Sequence, residues 1–327
     1  MDCDGEIIQP HRDNANHGQM AVSKIEFMND NLYSRAPFTY RELEAAQWIV
    51  DTLLAMGHPA GNIEMQTFNR YDMLHQVWHH WTGPAANRIW GDMTLREYSQ
   101  NVILTIPGHG RSESKIIVGA HYDTLPYPGA SDNASGTALL LESAYHMLGL
   151  NNYHTIVYVF FGAEEIGLVG AQYYLDSLSP AQRSSIAFMV NADVLFEGPY
   201  LLYIVGGHNA DDVSRLSASL DEIAEQKYAR HGFELIPYPD GIHIWFSDHK
   251  VFYWEGFPTV TFFGMDRIEK EGAALEAFWG TTFVSRVLHS PRDCFHYINQ
   301  NWPGKIDRAM RAYSLFLEEI LLMEFSN

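Results

Sequence analysis

The sequence has few cysteines, few basic residues and no long apolar run. Its two cysteines, Cys3 and Cys294, are too few for the disulfide framework of a small secreted domain. The chain has 21 lysines and arginines but 40 aspartates and glutamates. The resulting net charge of −19 disfavours nucleic acid and anionic membrane as partners. No apolar stretch approaches the ~18 residues that cross a membrane. These absences argue against a disulfide-rich domain, a nucleic-acid-binding protein and a membrane-spanning one.

The sequence favours one large globular domain. With 327 residues and 46% hydrophobic residues, the chain can bury a large core. Residues 1–24 are polar and aperiodic, and we expect a tail there. Residues 25–327 contain no repeat or linker that would divide them. The first thirty residues show no secretory signal, but a processed chain would look the same. We expect a secreted or cell-envelope location, with the cytoplasm as the alternative.

Short runs rich in β-branched and aromatic residues alternate with helix-like stretches such as 135–149 and 165–178. Near-continuous apolar strands separated by helices predict a buried, largely parallel sheet with helices on both faces, an α/β fold. The predicted strands are 101–106, 115–120, 155–161, 186–193, 201–205 and 259–263.

The start of one helix can be read directly. Thr39 and Glu42 form a T-x-x-E capping box, and Phe38 and Leu43 are spaced as a hydrophobic staple. Gly57 is a natural residue to follow the last turn. We therefore expect a helix from about residue 40 to residue 56.

Acidic and histidine side chains follow three successive predicted strands, and ligand sites on such sheets collect beyond the carboxyl ends of the strands. Each short motif has an ordinary explanation as a polar turn or a helix start. Together, however, they would bury many carboxylates, which requires a compensating positive charge. Carboxylate and imidazole are zinc ligands, and two ions could share a bridging carboxylate and a water. The set is His121, Asp123, Asp132, Glu164, Glu165, Asp193 and His289.

The segments GAHYDT, GASDNASGTA, FFGAEEIGLVGAQYY, NADV and HSPRD resemble the five ordered motifs of the co-catalytic zinc aminopeptidases. This group includes bacterial leucyl aminopeptidases and aminopeptidase S-like enzymes, and is related to glutamate carboxypeptidases and glutaminyl cyclases. The resemblance spans roughly residues 40 to 320. It implies a single three-layer α/β/α catalytic domain, with a mixed, mostly parallel central sheet, that hydrolyses the N-terminal residue of peptides with a free N-terminus.

The resemblance also implies a set of ligands for two zinc ions. By position in the motifs, Asp132 would be the carboxylate that bridges both ions. His121 and Asp193 would complete one ion's ligands, and Glu165 and His289 those of the other.

Two further roles follow from the same motifs. Glu164 would act as general base without binding metal, and Asp123 would orient the imidazole of His121. In an extended segment neighbouring side chains point to opposite sides, so Glu164 and Glu165 could serve different roles. We expect Arg292, beside His289, to pair with Asp293 rather than with a substrate.

The sequence departs from the family pattern just before the last ligand. Leu288 stands where some relatives have a tyrosine that stabilises the oxyanion. The replacement candidates are His243, His249 and Tyr253. Nearby aromatic residues could line a substrate pocket or simply pack in the core, and these are Trp245, Phe246, Tyr253 and Trp254.

Three alternatives to an aminopeptidase differ in how well the sequence fits them. A glutaminyl cyclase-like acyltransferase would use the same fold with one zinc, but SDNASGTA keeps the peptidase form around Asp132. A non-catalytic binding module is disfavoured because Glu164 and all the expected ligands are present. A carboxypeptidase relative is disfavoured because no inserted domain is visible.

Overall fold

The computed structural model describes residues 16–69, 94–110, 114–197, 200–225, 235–238, 246–265 and 287–325. The strands in these ranges are β1 (Ile63–Asn69), β2 (Tyr98–Ile106), β3 (Lys115–His121), β4 (Thr155–Phe161), β5 (Ile186–Ala192), β6 (Tyr200–Gly206), β7 (Leu235–Pro237) and β8 (Thr259–Met265). They form one sheet in the order β1-β2-β4-β3-β5-β8-β6-β7. All six predicted strands are present. The sequence pattern missed β1, which is a largely exposed edge strand, and β7, which is only three residues long.

The centre of the sheet is parallel. Strand β3 pairs in parallel with β4 on one side and β5 on the other, and β5 pairs in parallel with β8. Ile116 and Val118 pack into the core on one face, whereas Ile117 packs into a separate core on the other. Because both faces are buried, the strands read as continuous apolar runs rather than alternating ones.

Helices cover both faces of the sheet. They are α1 (Gln19–Asn31), α2 (Tyr40–Met56), α3 (Ser135–Met147), α4 (Val169–Ser177), α5 (Pro180–Ser184), α6 (Ala210–Ile223), α7 (His249–Trp254), α8 (Phe295–Asn301) and α9 (Lys305–Leu322). Helices α1, α2, α3 and α9 pack together in one layer, and α4 and α7 contact each other in the opposite layer. Among the described residues, no helix is long and apolar enough to cross a membrane.

The capping box at the start of α2 is only half formed. The hydroxyl of Thr39 accepts the amide N–H of Glu42 at 3.3 Å, as expected. The carboxylate of Glu42, however, accepts the amide N–H of Phe38 at 2.7 Å, the hydroxyl of Ser99 at 2.7 Å and the amide N–H of Ala163 at 3.1 Å. The expected return bond to Thr39 is replaced because this buried carboxylate has tertiary partners.

Helix α1 begins inside the segment expected to be a tail. Residues 19–24 are helical and Ala21 is fully buried, so the expected boundary at residue 24 is too late. The amide N–H groups of Gly18 and Ala21 donate to the carboxylate of Glu142 on α3, at 2.5 and 2.8 Å. A distant acid thus caps α1, and no local sequence signal could reveal it. Residues 1–15 lie outside the described ranges.

Glu142→Ala should loosen α1 from the rest of the fold. It would leave two buried N–H groups and the hydroxyl of Ser314 without their acceptor, at a cost of roughly 2–4 kcal/mol in the free energy of unfolding. Urea unfolding measures this. The control is Glu44→Ala, which removes an exposed acid paired with Arg41 and should stay within about 0.5 kcal/mol of wild type. Equal effects in the two variants would contradict the proposed cap.

Candidate metal centre

The carboxyl ends of three neighbouring strands, β4, β3 and β5, deliver most of the expected site residues. His121 is the last residue of β3, Asp193 directly follows β5, and Glu164 and Glu165 follow β4 after a short turn. Asp132 lies in the single turn Ala130–Ala134 that leads into α3. Because these strands are parallel, their ends meet at one edge of the sheet, as the sequence pattern predicted.

Asp132 lies at the centre of the cluster. Its Oδ1 is 3.3 Å from Nε2 of His121, and its Oδ2 is 2.9 Å from Nε2 of His289. Nε2 of His121 is also 3.3 Å from Oδ1 of Asp193, and Nε2 of His289 is 3.7 Å from Oε2 of Glu165. The residues form two groups of three that share Asp132, and within each group the ligating atoms lie within 4.8 Å of one another.

The cluster is buried, except on one side. His121, Asp132, Glu165 and Asp193 are all buried, whereas the side chain of His289 is 49% exposed. Among the described residues of the cluster, His289 is therefore the ligand candidate most exposed to solvent.

The electrostatics of the cluster favour a bound cation. Burial and the neighbouring charge of Asp132 raise the pKa of Glu165 to about 8. Burial also raises the pKa of Glu164 well above its usual range. Burial lowers the pKa of His121, but the carboxylates of Glu164 and Asp193 outweigh this and raise it. Burial also acts to raise the pKa of Asp132, but the hydrogen bonds from the two imidazoles outweigh it and lower that pKa. Acids this close need positive charge, and the oxygen and imidazole donors fit a divalent ion such as zinc.

Asp123 contacts more of the cluster than the sequence indicated. Its main-chain oxygen is 3.1 Å from Nδ1 of His121, and its Oδ1 is 3.5 Å from the same nitrogen. The two carboxylate oxygens also accept the amide N–H groups of Glu164 and Glu165, both at 3.1 Å. Asp123 thus fixes the backbone of both glutamates as well as the imidazole.

Glu164 and Glu165 have different surroundings. Oε1 of Glu165 accepts the amide N–H of Leu125 at 3.0 Å while Oε2 faces His289. Glu164 belongs to neither group of three, and its Oε2 lies 4.0 Å from Nε2 of His121. The pair lies in a turn rather than a strand, since the carbonyl of Glu164 accepts the N–H of Gly167 at 2.8 Å. The separation expected from an extended segment is therefore produced by this turn and by Asp123.

Asp293 also binds backbone near the cluster. Its carboxylate accepts the amide N–H of Ser131 at 2.6 Å and that of Asp132 at 3.0 Å. Arg292 is exposed, and its guanidinium lies 5.9 Å from the ring centre of Tyr297. The expected pairing of Arg292 with Asp293 is therefore wrong, because Asp293 points inward to the turn that carries Asp132.

The candidates for oxyanion stabilisation are not part of either group of three. His249 is buried, and burial together with the charge of Lys250 lowers its pKa to about 3. The ring of Tyr253 packs edge-on against His208, with ring centres 4.7 Å apart. His243 lies outside the described residues.

The neighbouring aromatic candidates are only partly described. The rings of Phe246 and Trp254 lie 6.0 Å apart, with 38% and 51% of these residues exposed. Trp245 lies outside the described residues. Asp248 belongs to the segment 247–249, which is similar to a triplet of the family and reads equally well as a polar loop. It is fully buried, and among the described residues neither of its carboxylate oxygens has a hydrogen-bond partner.

Two other acid and histidine groups in the described ranges offer poorer sites. In the group of His17, Glu142 and His146, the Glu142 oxygens already accept hydrogen bonds and the two imidazole rings are stacked, with centres 4.2 Å apart. The other group is exposed and consists of Glu26, Asp30 and His296.

Comparison with known sequences identifies relatives over the region that carries the cluster. The sequence profile of peptidase family M28 matches residues 101–314, which include all five motifs quoted above. Aminopeptidase YwaD of Bacillus subtilis is 30% identical over 212 residues, a match that covers 62% of this chain and 41% of that protein. Leupeptin-inactivating enzyme 1 of Streptomyces exfoliatus is 30% identical over 223 residues, covering 66% and 48%. Each match spans less than half of the relative's length.

Solved structures share the fold. BSAP, a zinc aminopeptidase from Bacillus subtilis, matches with a TM-score of 0.68 at 17% identity, covering 94% of this chain and 96% of that one. A glutaminyl cyclase from Bacteroides thetaiotaomicron matches with a TM-score of 0.61 at 18% identity, covering 94% and 98%. At such identities the likeness concerns the fold alone, and the predicted α/β architecture is confirmed.

Proposed function

The chain belongs to peptidase family M28, and on this premise we propose that it is a zinc-dependent aminopeptidase that removes the N-terminal residue of peptides. The observation that carries the proposal is the pair of three-residue groups that share Asp132. The names of the sequence relatives, an aminopeptidase among them, support the same activity. A secreted or cell-envelope location stays a prediction.

The proposed ligands divide between two zinc ions. His121, Asp132 and Asp193 would hold one ion, and Asp132, Glu165 and His289 the other. Support comes from the carboxylate of Asp132, whose two oxygens face the two imidazoles separately. A carboxylate shared in this way is what two closely spaced ions require.

When bound, the zinc pair would polarise the scissile carbonyl and lower the pKa of a water. Glu164 would take a proton from that water and deliver it to the leaving amine. Its position supports this role, because it lies beside the ligands but in neither group of three. Asp123 would keep Glu164 in place through its backbone N–H.

The alternative is a glutaminyl cyclase-like acyltransferase that uses one zinc. The shared fold permits it. A one-zinc enzyme needs only one set of ligands. Here Glu165 and His289 lie near the second oxygen of Asp132 and complete a second group of three. The aminopeptidase is therefore the better-supported proposal.

Metal stoichiometry separates these alternatives. Protein purified without chelator and reconstituted with zinc should bind about two ions per chain, because each group of three provides a set of ligands. Elemental analysis after gel filtration measures the ratio. Full activity at one ion per chain would favour the cyclase instead.

Glu164→Gln should separate chemistry from metal binding. It keeps the size of the side chain but removes the base, so kcat should fall by roughly 10²–10⁴-fold while zinc content stays near that of wild type. Glu165→Gln is the matched control and should lose zinc. Loss of zinc from Glu164→Gln alone would mean that the two roles are exchanged.

A free N-terminus should be required for cleavage. An unprotonated α-amine can bind zinc, whereas an acetylated one cannot and adds bulk at the end of the substrate. Mass spectrometry over a time course should show residues released one at a time from the N-terminus of the free peptide and none from its acetylated form. Amidation of the C-terminus should matter little. Release of C-terminal residues, or comparable cleavage of the acetylated peptide, would rule out an aminopeptidase and leave a zinc hydrolase possible.

A further inference from the structure

Arg35 is a fully buried arginine whose guanidinium binds only main-chain oxygens in the described contacts. Its Nε donates to the carbonyl of Tyr122 at 2.6 Å. Nη1 donates to the carbonyls of Leu32 and Pro128, and Nη2 to that of Gly129, all at 3.1 Å. The planar fork of donors is thus used to hold backbone rather than to pair with an acid.

The bound carbonyls lie at the two ends of one loop of the metal centre. Tyr122 directly follows His121 at the end of β3, and Gly129 directly precedes the turn that carries Asp132. One guanidinium therefore ties the backbone directly after His121 to the backbone three residues before Asp132. These two side chains lie 3.3 Å apart and belong to the same group of three.

The backbone of Arg35 reinforces this link. Its amide N–H donates to the hydroxyl of Thr124 at 3.0 Å, and the amide N–H of Thr124 donates to the carbonyl of Arg35 at 3.3 Å. The loop is closely packed at Gly129, where φ is +62°. A Cβ at this position would collide with the side chain of Thr124 and the carbonyl oxygen of Asp132. A shift of the Gly129 carbonyl would therefore reach Asp132.

The charge of Arg35 persists in this buried position. Burial lowers its pKa to about 10, and nearby carboxylates act in the opposite direction, so the guanidinium stays protonated at neutral pH. The carbonyl bonds compensate its lost hydration. These carboxylates are Asp293, Asp123, Asp132 and Glu165.

We propose that Arg35 is a positioning residue of the metal centre, which sets the separation of His121 and Asp132 by holding both ends of the loop between them. The inference rests on the proposed zinc ligands. Arg35 lies outside residues 101–314, the region that matches the family profile. Metal-binding geometry in this chain thus depends on a residue from the preceding segment.

The test must distinguish positioning from a contribution to stability alone. Arg35→Lys keeps the charge, but a single ammonium cannot bind carbonyls spread along the loop. Arg35→Met removes the charge as well. Arg41→Met is the matched control, because Arg41 is exposed and pairs with Glu44 on the surface. Thr124→Val removes the hydroxyl that holds the backbone of Arg35 and leaves the guanidinium in place.

Each full-length variant would be measured below its own Tm for zinc affinity, by competition with a chromophoric chelator. The visible spectrum of the cobalt-substituted protein reports ligand geometry separately. Arg35→Lys and Arg35→Met should both weaken zinc binding by roughly 10–100-fold and alter the cobalt spectrum. Thr124→Val should change zinc affinity and the cobalt spectrum in the same direction but to a smaller extent than the Arg35 variants. Arg41→Met should match wild type in both measurements.

The inference is overturned if folded Arg35→Lys or Thr124→Val keeps the zinc affinity and the cobalt spectrum of wild type, whatever the change in Tm. Arg35 would then contribute only to the packing of the core. Thr124→Val carries the test alone if both Arg35 variants fail to fold. A wild-type chain that binds zinc but cleaves no peptide would refute the proposed activity without affecting this result. A wild-type chain that binds no zinc would overturn both.

Discussion

Repulsion among carboxylates at the carboxyl ends of β4, β3 and β5 is the constraint on which this structure depends. Glu165 and Asp193 are buried, and both lie near Asp132. Glu165 is also near the imidazole of His289, and Asp193 near that of His121. Such a cluster is unfavourable unless cations compensate it, since buried anions lose their hydration and repel one another. The sheet brings these side chains together, and the proposed zinc pair would supply the charge that makes their proximity favourable.

Buried charged side chains position this cluster through the backbone. The carboxylate of Asp123 accepts the amide N–H groups of Glu164 and Glu165, and that of Asp293 accepts the amide N–H of Asp132. Arg35 binds the carbonyls on either side of the loop between His121 and Asp132. Because these contacts are made to backbone groups, they do not use the side-chain atoms proposed to bind zinc. Precise ligand geometry depends on such supporting contacts as much as on the ligands themselves.

Much of the fold and the site could be predicted, because the relevant signals are local. Both faces of the central sheet are buried, so its strands appear as uninterrupted apolar runs, and the polar residues that follow them mark its carboxyl edge. The same logic failed for β1, whose exposed edge position leaves it no continuous apolar pattern. It also failed for the start of α1, which is capped by Glu142 rather than by a neighbour in sequence.

The sequence by itself determined the α/β fold, the family and the identity of the residues that converge at the sheet edge, because chain order and strand ends fix which side chains meet there. Only the tertiary structure decided how those residues are held. Glu42 reads as half of a capping box, yet in the fold it also binds Ser99 and Ala163. No sequence motif involves Arg35, yet it lies fully buried and its guanidinium binds the carbonyls of Tyr122 and Gly129. These partners are far apart along the chain, and local periodicity contains no information about contacts that form only when the layers pack.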